Sequence, residues 1–209
     1  MWAAAVLFTT GRLVIAQELK PIRLLPPEID GGKPLMQALR ERHSSRVFSR
    51  EPLPLQILAN LLWAADGTNR PDSGKRTAPS AMNWQEIDLY VATADGLYLY
   101  NARGHTLIPV LEADIRAATG RQPFVAEAPL NLVYVADYAR MTRGSDEDRA
   151  LYSAAGAGFI SENVYLYCAS AGLATVVRGT IDRPALAKTM KLRPDQRILL
   201  AQTVGYPAR

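Results

Sequence analysis

The sequence predicts an α+β domain built on a mixed, mostly antiparallel sheet flanked by helices. Three observations carry that expectation. The chain has 209 residues, 48% hydrophobic and 21% charged, enough to bury one core of its own. Strand-like runs between Ile87 and Val110 follow one another across short turns, instead of alternating with helices as a doubly wound parallel sheet requires. A long, largely apolar segment after Ser145 reads as a buried central helix.

In chain order, Leu24 to Pro34 (LLPPEIDGGKP) is an extended lead-in. Pro34 then sits in the first turn of a helix reaching about His43, with Leu35, Met36 and Leu39 on its apolar face. A second helix is expected from Pro54 to about Ala65, striped by Leu55, Leu58, Leu61 and Leu62 and stopped at Asp66-Gly67. Thr68 to Ser80 is too polar and too rich in Pro and Gly for regular structure, and Asn69-Arg70 reads as a turn. Ile87–Thr93 and Leu97–Tyr100 flank a hairpin turn at Ala94-Asp95-Gly96, and Thr106–Val110 adds a third strand. Leu111–Thr119 reads as a helix closed by Gly120, and Leu130–Ala136 as a strand buried on both faces. Acids at 146–148 open the longest helix, which runs to about Ala171 and is capped by Gly172. Gly156 and Gly158 inside it imply that something approaches its backbone closely. Leu173–Val177, a helix Arg183–Met190 and a last strand Ile198–Val204 complete the domain, 17–209. No internal repeat interrupts it.

Met1 to Ala16 (MWAAAVLFTTGRLVIA) is too short an apolar run to cross a bilayer and reads as an export signal cleaved after Ala16. That implies a periplasmic or secreted protein, with a cytoplasmic location the alternative. One cysteine, Cys168, and two histidines, His43 and His105, exclude an internal disulfide and metal sites built from several cysteines or histidines. Cys168 reads as core packing and His105 as an exposed, inert turn residue. The net charge of +4 is carried mainly by arginines interspersed with acids, without the basic stripe of a nucleic-acid binder.

Motifs for dinucleotide turns, P-loops, nucleophile elbows and zinc proteases are absent. The informative stretch is Arg42-His43-Ser44-Ser45-Arg46. In an extended segment, positions two apart project to one side, so Arg42, Ser44 and Arg46 offer two guanidinium forks and a hydroxyl to a phosphate monoester. The competing reading is that arginines beyond a helix C-terminus answer its dipole.

The segment also resembles the R-x-S-x-[RK] phosphate motif of the FMN-dependent nitroreductase family. Four further segments follow in the family's order over about residues 33–207: Pro79-Ser80-Ala81 with Asn83 and Gln85, Gly158 to Asn163, Gly172 to Gly179, and Gly205-Tyr206-Pro207. The short-chain SagB-type (thiazole/oxazole dehydrogenase-like) branch is the most similar. The resemblance implies the nitroreductase-like fold and a homodimer with FMN at the subunit interface. It implies that Arg42, Ser44 and Arg46 hold the phosphate, with His43 contributing backbone, and that Pro79, Ser80, Ala81 and Asn83 line the flavin from the partner chain. The backbone at Val177, Arg178 and Gly179 would face the ring, one N–H donating to N5. Arg76, Arg178 or Arg209 is a candidate for a further phosphate contact, and Arg178 could instead reach the substrate. Glu162 stands where the family more often has Gln, and a carboxylate there is expected to meet solvent or an arginine.

No side-chain acid, base or nucleophile is then required, because the flavin carries the chemistry. The implied activity is two-electron transfer from a reduced nicotinamide, NAD(P)H, or another donor to an electron-poor acceptor such as a nitroaromatic or quinone. A SagB-like oxidation of a small ring or peptide substrate is the nearest variant. The alternatives are a non-catalytic flavin-binding module on the same fold and an anion-binding structural domain without flavin.

Overall fold

The computed structural model describes residues 19–208. The proposed export signal and Arg209 lie outside the described residues. The chain order is β1 (Ile22–Arg23), α1 (Leu35–Glu41), α2 (Leu55–Asp66), β2 (Thr68–Arg70), β3 (Lys75–Arg76), β4 (Ile87–Ala92), β5 (Leu97–Asn101), β6 (Thr106–Leu111), α3 (Phe124–Glu127), β7 (Leu130–Asp137), α4 (Asp146–Ala171), β8 (Ala174–Arg178), α5 (Arg183–Thr189) and β9 (Gln196–Gly205).

Seven strands form one sheet in the order β1-β6-β5-β4-β7-β9-β8, and every pairing among them is antiparallel. β7 lies inside the sheet, between β4 and β9, and is buried along its whole length, as its unbroken apolar run LNLVYVA predicts. Leu132, Tyr134 and Ala136 point into a core shared with α2 and with Ala157, Ile160 and Val164 of α4. Val133 and Val135 point to the opposite face, against Ile181, Leu186, Met190 and Ile198. Helices therefore cover both sides of the central strands.

α4 starts on a capping box. The Ser145 hydroxyl accepts from the Asp148 N–H, and the Asp148 carboxylate accepts from the Ser145 N–H. The helix ends at Gly172, whose positive φ of 71° is the left-handed turn expected of a C-terminal glycine. It is long and central, but buried along one side: Ser153, Gly156, Ala157, Ile160, Val164 and Cys168 face the sheet, while Leu151, Tyr152 and Phe159 are exposed. Gly156 meets the close approach its sequence implies, since a Cβ there would lie 3.0 Å from Glu86 Oε1. At Gly158 a Cβ would meet nothing in its own chain. Glu162 is exposed to solvent, and Cys168 is fully buried.

Several elements differ from expectation. Leu111 belongs to β6, paired with Leu97, and only Arg116–Thr119 curls into a 3₁₀ turn; the sheet's ladder takes residues that helical spacing would also accept. The polar 68–80 stretch holds a two-stranded ribbon, β2–β3, with Asn69 and Arg70 in its first strand. Arg76, at the end of that ribbon, is ion-paired with Asp66 at the end of α2. His105 is half-buried: one ring nitrogen is 2.9 Å from the Tyr100 hydroxyl and the other 3.0 Å from the Leu25 carbonyl, so it ties the lead-in to β5. Among the described residues, no helix is long and apolar enough to cross a membrane.

Candidate functional site

The segment after α1 leaves the helix at Arg42, whose N–H closes the last turn on Ala38 O, and then runs extended beside β8. β8 is the edge strand of the sheet. The carbonyl of Thr175 and the N–H of Val177 point away from β9, and both are used by the approaching chain elements. Ser45 N–H donates to Thr175 O at 2.9 Å, and Val177 N–H donates to the Tyr165 hydroxyl of α4 at 2.9 Å. Gly179, the exposed residue just after β8, has an N–H that finds no acceptor among the described residues.

Tyr165 is the meeting point. Its hydroxyl is 2.8 Å from Ser44 Oγ, and the Arg42 guanidinium lies over its ring, 5.2 Å from the centroid. Arg42, Ser44 and Val177, three positions the sequence singled out, are thus gathered around one phenol that it did not. Nothing in the α4 pattern separates Tyr165 from its core neighbours Val164 and Cys168, so only the fold identifies it. His43 is exposed, with Nδ1 2.7 Å from Glu41 O. Arg46 is exposed. Neither Arg42 nor Arg46 forms an ion pair among the described residues, and neither guanidinium donates to a C-terminal carbonyl of α1. With no protein partner of opposite charge among the described residues, both guanidinium groups stand available to an anion.

Arg178 corrects an expectation. Its guanidinium is neither a phosphate contact nor a substrate contact, because it is only 5% exposed and points into the protein interior. Nη1 donates to Thr119 O at 2.7 Å, Nη2 to Asn131 Oδ1 at 2.9 Å and Nε to Thr203 Oγ1 at 3.1 Å. With no carboxylate beside it, burial pulls its pKa down to about 10. Its backbone pairs with Ala201 of β9, so within β8 it is Val177, not Arg178, whose N–H points outward.

Pro79, Ser80, Ala81 and Asn83 form a second group. Met82, Asn83 and Gln85 all have positive φ, 50°, 56° and 49°, an unusual run for side-chain-bearing residues that marks a tightly shaped turn. Ser80 pins it: its hydroxyl donates to Glu86 Oε2 at 2.8 Å and accepts from Gln85 N–H at 2.8 Å. Pro79, Ser80 and Asn83 line a cavity of about 20 Å³ with Asp66, Arg76, Glu86 and Gly156. The two acids there are almost wholly buried, Asp66 at 4% and Glu86 at 1% exposure. Burial pushes Asp66 up to about 7 against the pull of Arg76. Glu86 Oε1 has no hydrogen-bond partner, and the cavity beside it has room for one water. Arg76 is therefore engaged by Asp66 and is not a free phosphate ligand. No hydrogen bond or ion pair among the described residues joins this group to the Tyr165 group within one chain.

Comparison with known proteins identifies the family. The nitroreductase family model matches residues 39–206. A nitroreductase-like protein of Methanocaldococcus jannaschii is 30% identical over 177 residues, 80% of this chain and 88% of its own. The crystal structure of a nitroreductase-like protein from Ralstonia eutropha JMP134 is 45% identical, with a TM-score of 0.88 over 98% of this chain and 97% of its own. A nitroreductase-like protein from Desulfovibrio desulfuricans, solved in complex with FMN, shares the fold at 23% identity and a TM-score of 0.62, over 86% of this chain and 89% of its own. With four-fifths of its length matched by the family model and close relatives along nearly all of it, the chain belongs to the nitroreductase family.

Proposed function

We propose that this protein is an FMN-dependent oxidoreductase, acting as a homodimer that passes two electrons from a reduced nicotinamide or another donor to an electron-poor acceptor such as a nitroaromatic or quinone. The observation that carries the reading is the convergence of Arg42, Ser44 and the outer edge of β8 on Tyr165, with Arg46 exposed nearby in sequence. Two unpaired guanidinium groups and a hydroxyl suit a phosphate monoester, and the donor set fits the phosphate end of FMN. The unsatisfied Gly179 N–H is a donor of the kind a flavin ring nitrogen accepts. FMN bound to the Desulfovibrio relative supports the same cofactor.

When bound, the flavin supplies the hydride chemistry, and the chain supplies position and polarity. Arg42, Arg46 and Ser44 bind the phosphate, His43 contributes backbone, and the chain at Val177 and Gly179 faces the ring, with Arg178 between them anchored inward. Pro79, Ser80, Ala81 and Asn83 act on the flavin of the partner, consistent with the lack of any hydrogen bond or ion pair joining them to the Tyr165 group among the described residues of one chain. Exposed apolar side chains on α1 and α4, among them Met36 at 76% and Phe159, support a second copy covering those faces. Export, with cleavage after Ala16, belongs to the same reading and is tested by the mass of the mature protein.

The decisive experiment is optical. The purified protein should be yellow, with the visible absorbance of oxidised flavin, and anaerobic NADPH should bleach it. Bleaching by dithionite but by no tested donor, followed by no reoxidation with nitroaromatic, quinone or ring acceptors, would favour the non-catalytic flavin module. A colourless protein that gains no thermal stability from added FMN would overturn both readings.

A further inference from the structure

We infer that Tyr165 is a positioning residue that turns Ser44 toward the phosphate, making the site selective for the phosphorylated flavin over riboflavin. The inference rests on the FMN reading above and adds a residue and a direction of hydrogen bonding to it.

The direction follows from counting donors. Val177 N–H can only donate, so the Tyr165 oxygen accepts from it at 2.9 Å. The remaining contact, 2.8 Å between the phenol and Ser44 Oγ, admits either hydroxyl as donor. If Ser44 donated, the Tyr165 proton would be left without an acceptor among the described residues, in a side chain that is itself buried. If Tyr165 donates, the buried phenol is satisfied both as donor and as acceptor. The chain then runs from Val177 N–H to the Tyr165 hydroxyl to the Ser44 hydroxyl, and ends in a serine proton with no protein acceptor. Donors arranged head to tail polarise one another, so the Ser44 proton is a stronger donor than that of an isolated serine. Ser44 is exposed, which puts that proton where solvent or a ligand meets it.

An occupant that only accepts hydrogen bonds and carries negative charge completes the chain, and a phosphate monoester does both. Arg42 contributes twice in this arrangement: its guanidinium lies over the Tyr165 ring, holding the phenol in place, and it adds positive charge beside Ser44. Riboflavin, ending in a hydroxyl, offers this end of the site neither charge nor a purely accepting group.

The test compares FMN and riboflavin affinities of the apo-protein by flavin fluorescence quenching. Tyr165→Phe should weaken FMN binding by about tenfold or more, the scale of one charge-assisted hydrogen bond, while riboflavin affinity stays within about twofold. Ser44→Ala, at an exposed position that leaves the fold undisturbed, should show the same FMN-specific loss. The double variant should lose little more than either single one, because both break the same chain. Amide exchange at Val177 should quicken in Tyr165→Phe and stay unchanged in Ser44→Ala. Equal losses for both flavins, additive losses in the double variant, or unaltered FMN binding in Tyr165→Phe would overturn the inference. A wild-type protein that binds FMN no better than riboflavin would instead overturn the phosphate reading itself, whatever the variants do.

Discussion

The guanidinium of Arg178 fills the space that a side chain at residue 120 would need: a Cβ built on Gly120 would lie 2.0 Å from Nη1 and 3.1 Å from Cζ. The backbone of Gly120 is extended, with φ of 179°, so this glycine is required by the neighbouring cation and not by its own torsion. Gly120→Ala must push Arg178 off the Thr119 carbonyl. A loss of about 2–3 kcal/mol is expected, measured by urea denaturation. Arg178→Met should cost at least as much, since it strands Thr119 O in the interior and removes one of the two donors to Asn131 Oδ1. Wild-type stability in either variant would show that the buried guanidinium is dispensable.

Arg42→Ala with Arg46→Ala removes both forks offered to the phosphate. Neither arginine has an ion-pair partner among the described residues, so the fold should survive, with an unchanged circular dichroism spectrum. FMN affinity should fall by roughly 100-fold, two charge-assisted contacts at about tenfold each. Flavin retained at one per chain after dialysis would show the assignment to be wrong.

Asp66 gives a pH signature. Its carboxyl is held up to about 7 in the folded chain, mainly by burial, with Glu86 reinforcing and Arg76 and Arg140 opposing the shift; its ordinary value is 3.8. Between those pH values the folded state binds the extra proton, so Asp66 makes stability fall as pH rises from about 4 to about 7, with no further change above. The contribution is on the order of a few kcal/mol. Asp66→Asn should flatten that part of the profile in chemical denaturation at a series of pH values. An identical slope in the variant would place the proton elsewhere.

Phe159 is half-exposed on the bare side of α4, next to Gly158, where a Cβ meets nothing in the same chain. Phe159→Asp should therefore cost the single chain little, while burying a charge in any dimer that covers this face. Sedimentation should show a dimeric wild type and a dissociation constant raised at least about 100-fold in the variant. A monomeric wild type would refute the homodimer.

Much of this fold is legible where a segment carries its own signals. The acids and serine that open α4, the Asp95-Gly96 turn between β4 and β5, and the apolar run of β7 each specify local structure and keep it. Legibility fails where a distant partner decides. Leu111 and Ile115 satisfy a helical period, but β5 claims Leu111 for the ladder. The 68–80 ribbon depends on an ion pair to Asp66, which as a sequence is only a stop signal. Arg178 shares its strand parity with Ala174 and Val176, both buried, and that alternation was a readable warning that its side chain points inward. Of the candidate site, the two-apart spacing of Arg42, Ser44 and Arg46 is readable in the sequence but does not by itself choose between an anion and the helix dipole, whereas Tyr165 and the acids around Ser80 emerge only when helices and strands are assembled.

One bridge has a temporal meaning. Phe48 pairs with Pro207, Ser49 N–H donates to Tyr206 O, and Gly205 lies against the Phe48 ring and Pro129. The stretch just beyond Arg46 is thus fastened to residues 205–207, and Ser45 just before it bonds the outer edge of β8. During vectorial synthesis on a ribosome, the first fifty residues would wait for nearly all the others before this seam could close. Anion capture would then be among the last properties a nascent molecule acquires, and a truncated translation product would lack it even with Arg42, Ser44 and Arg46 intact.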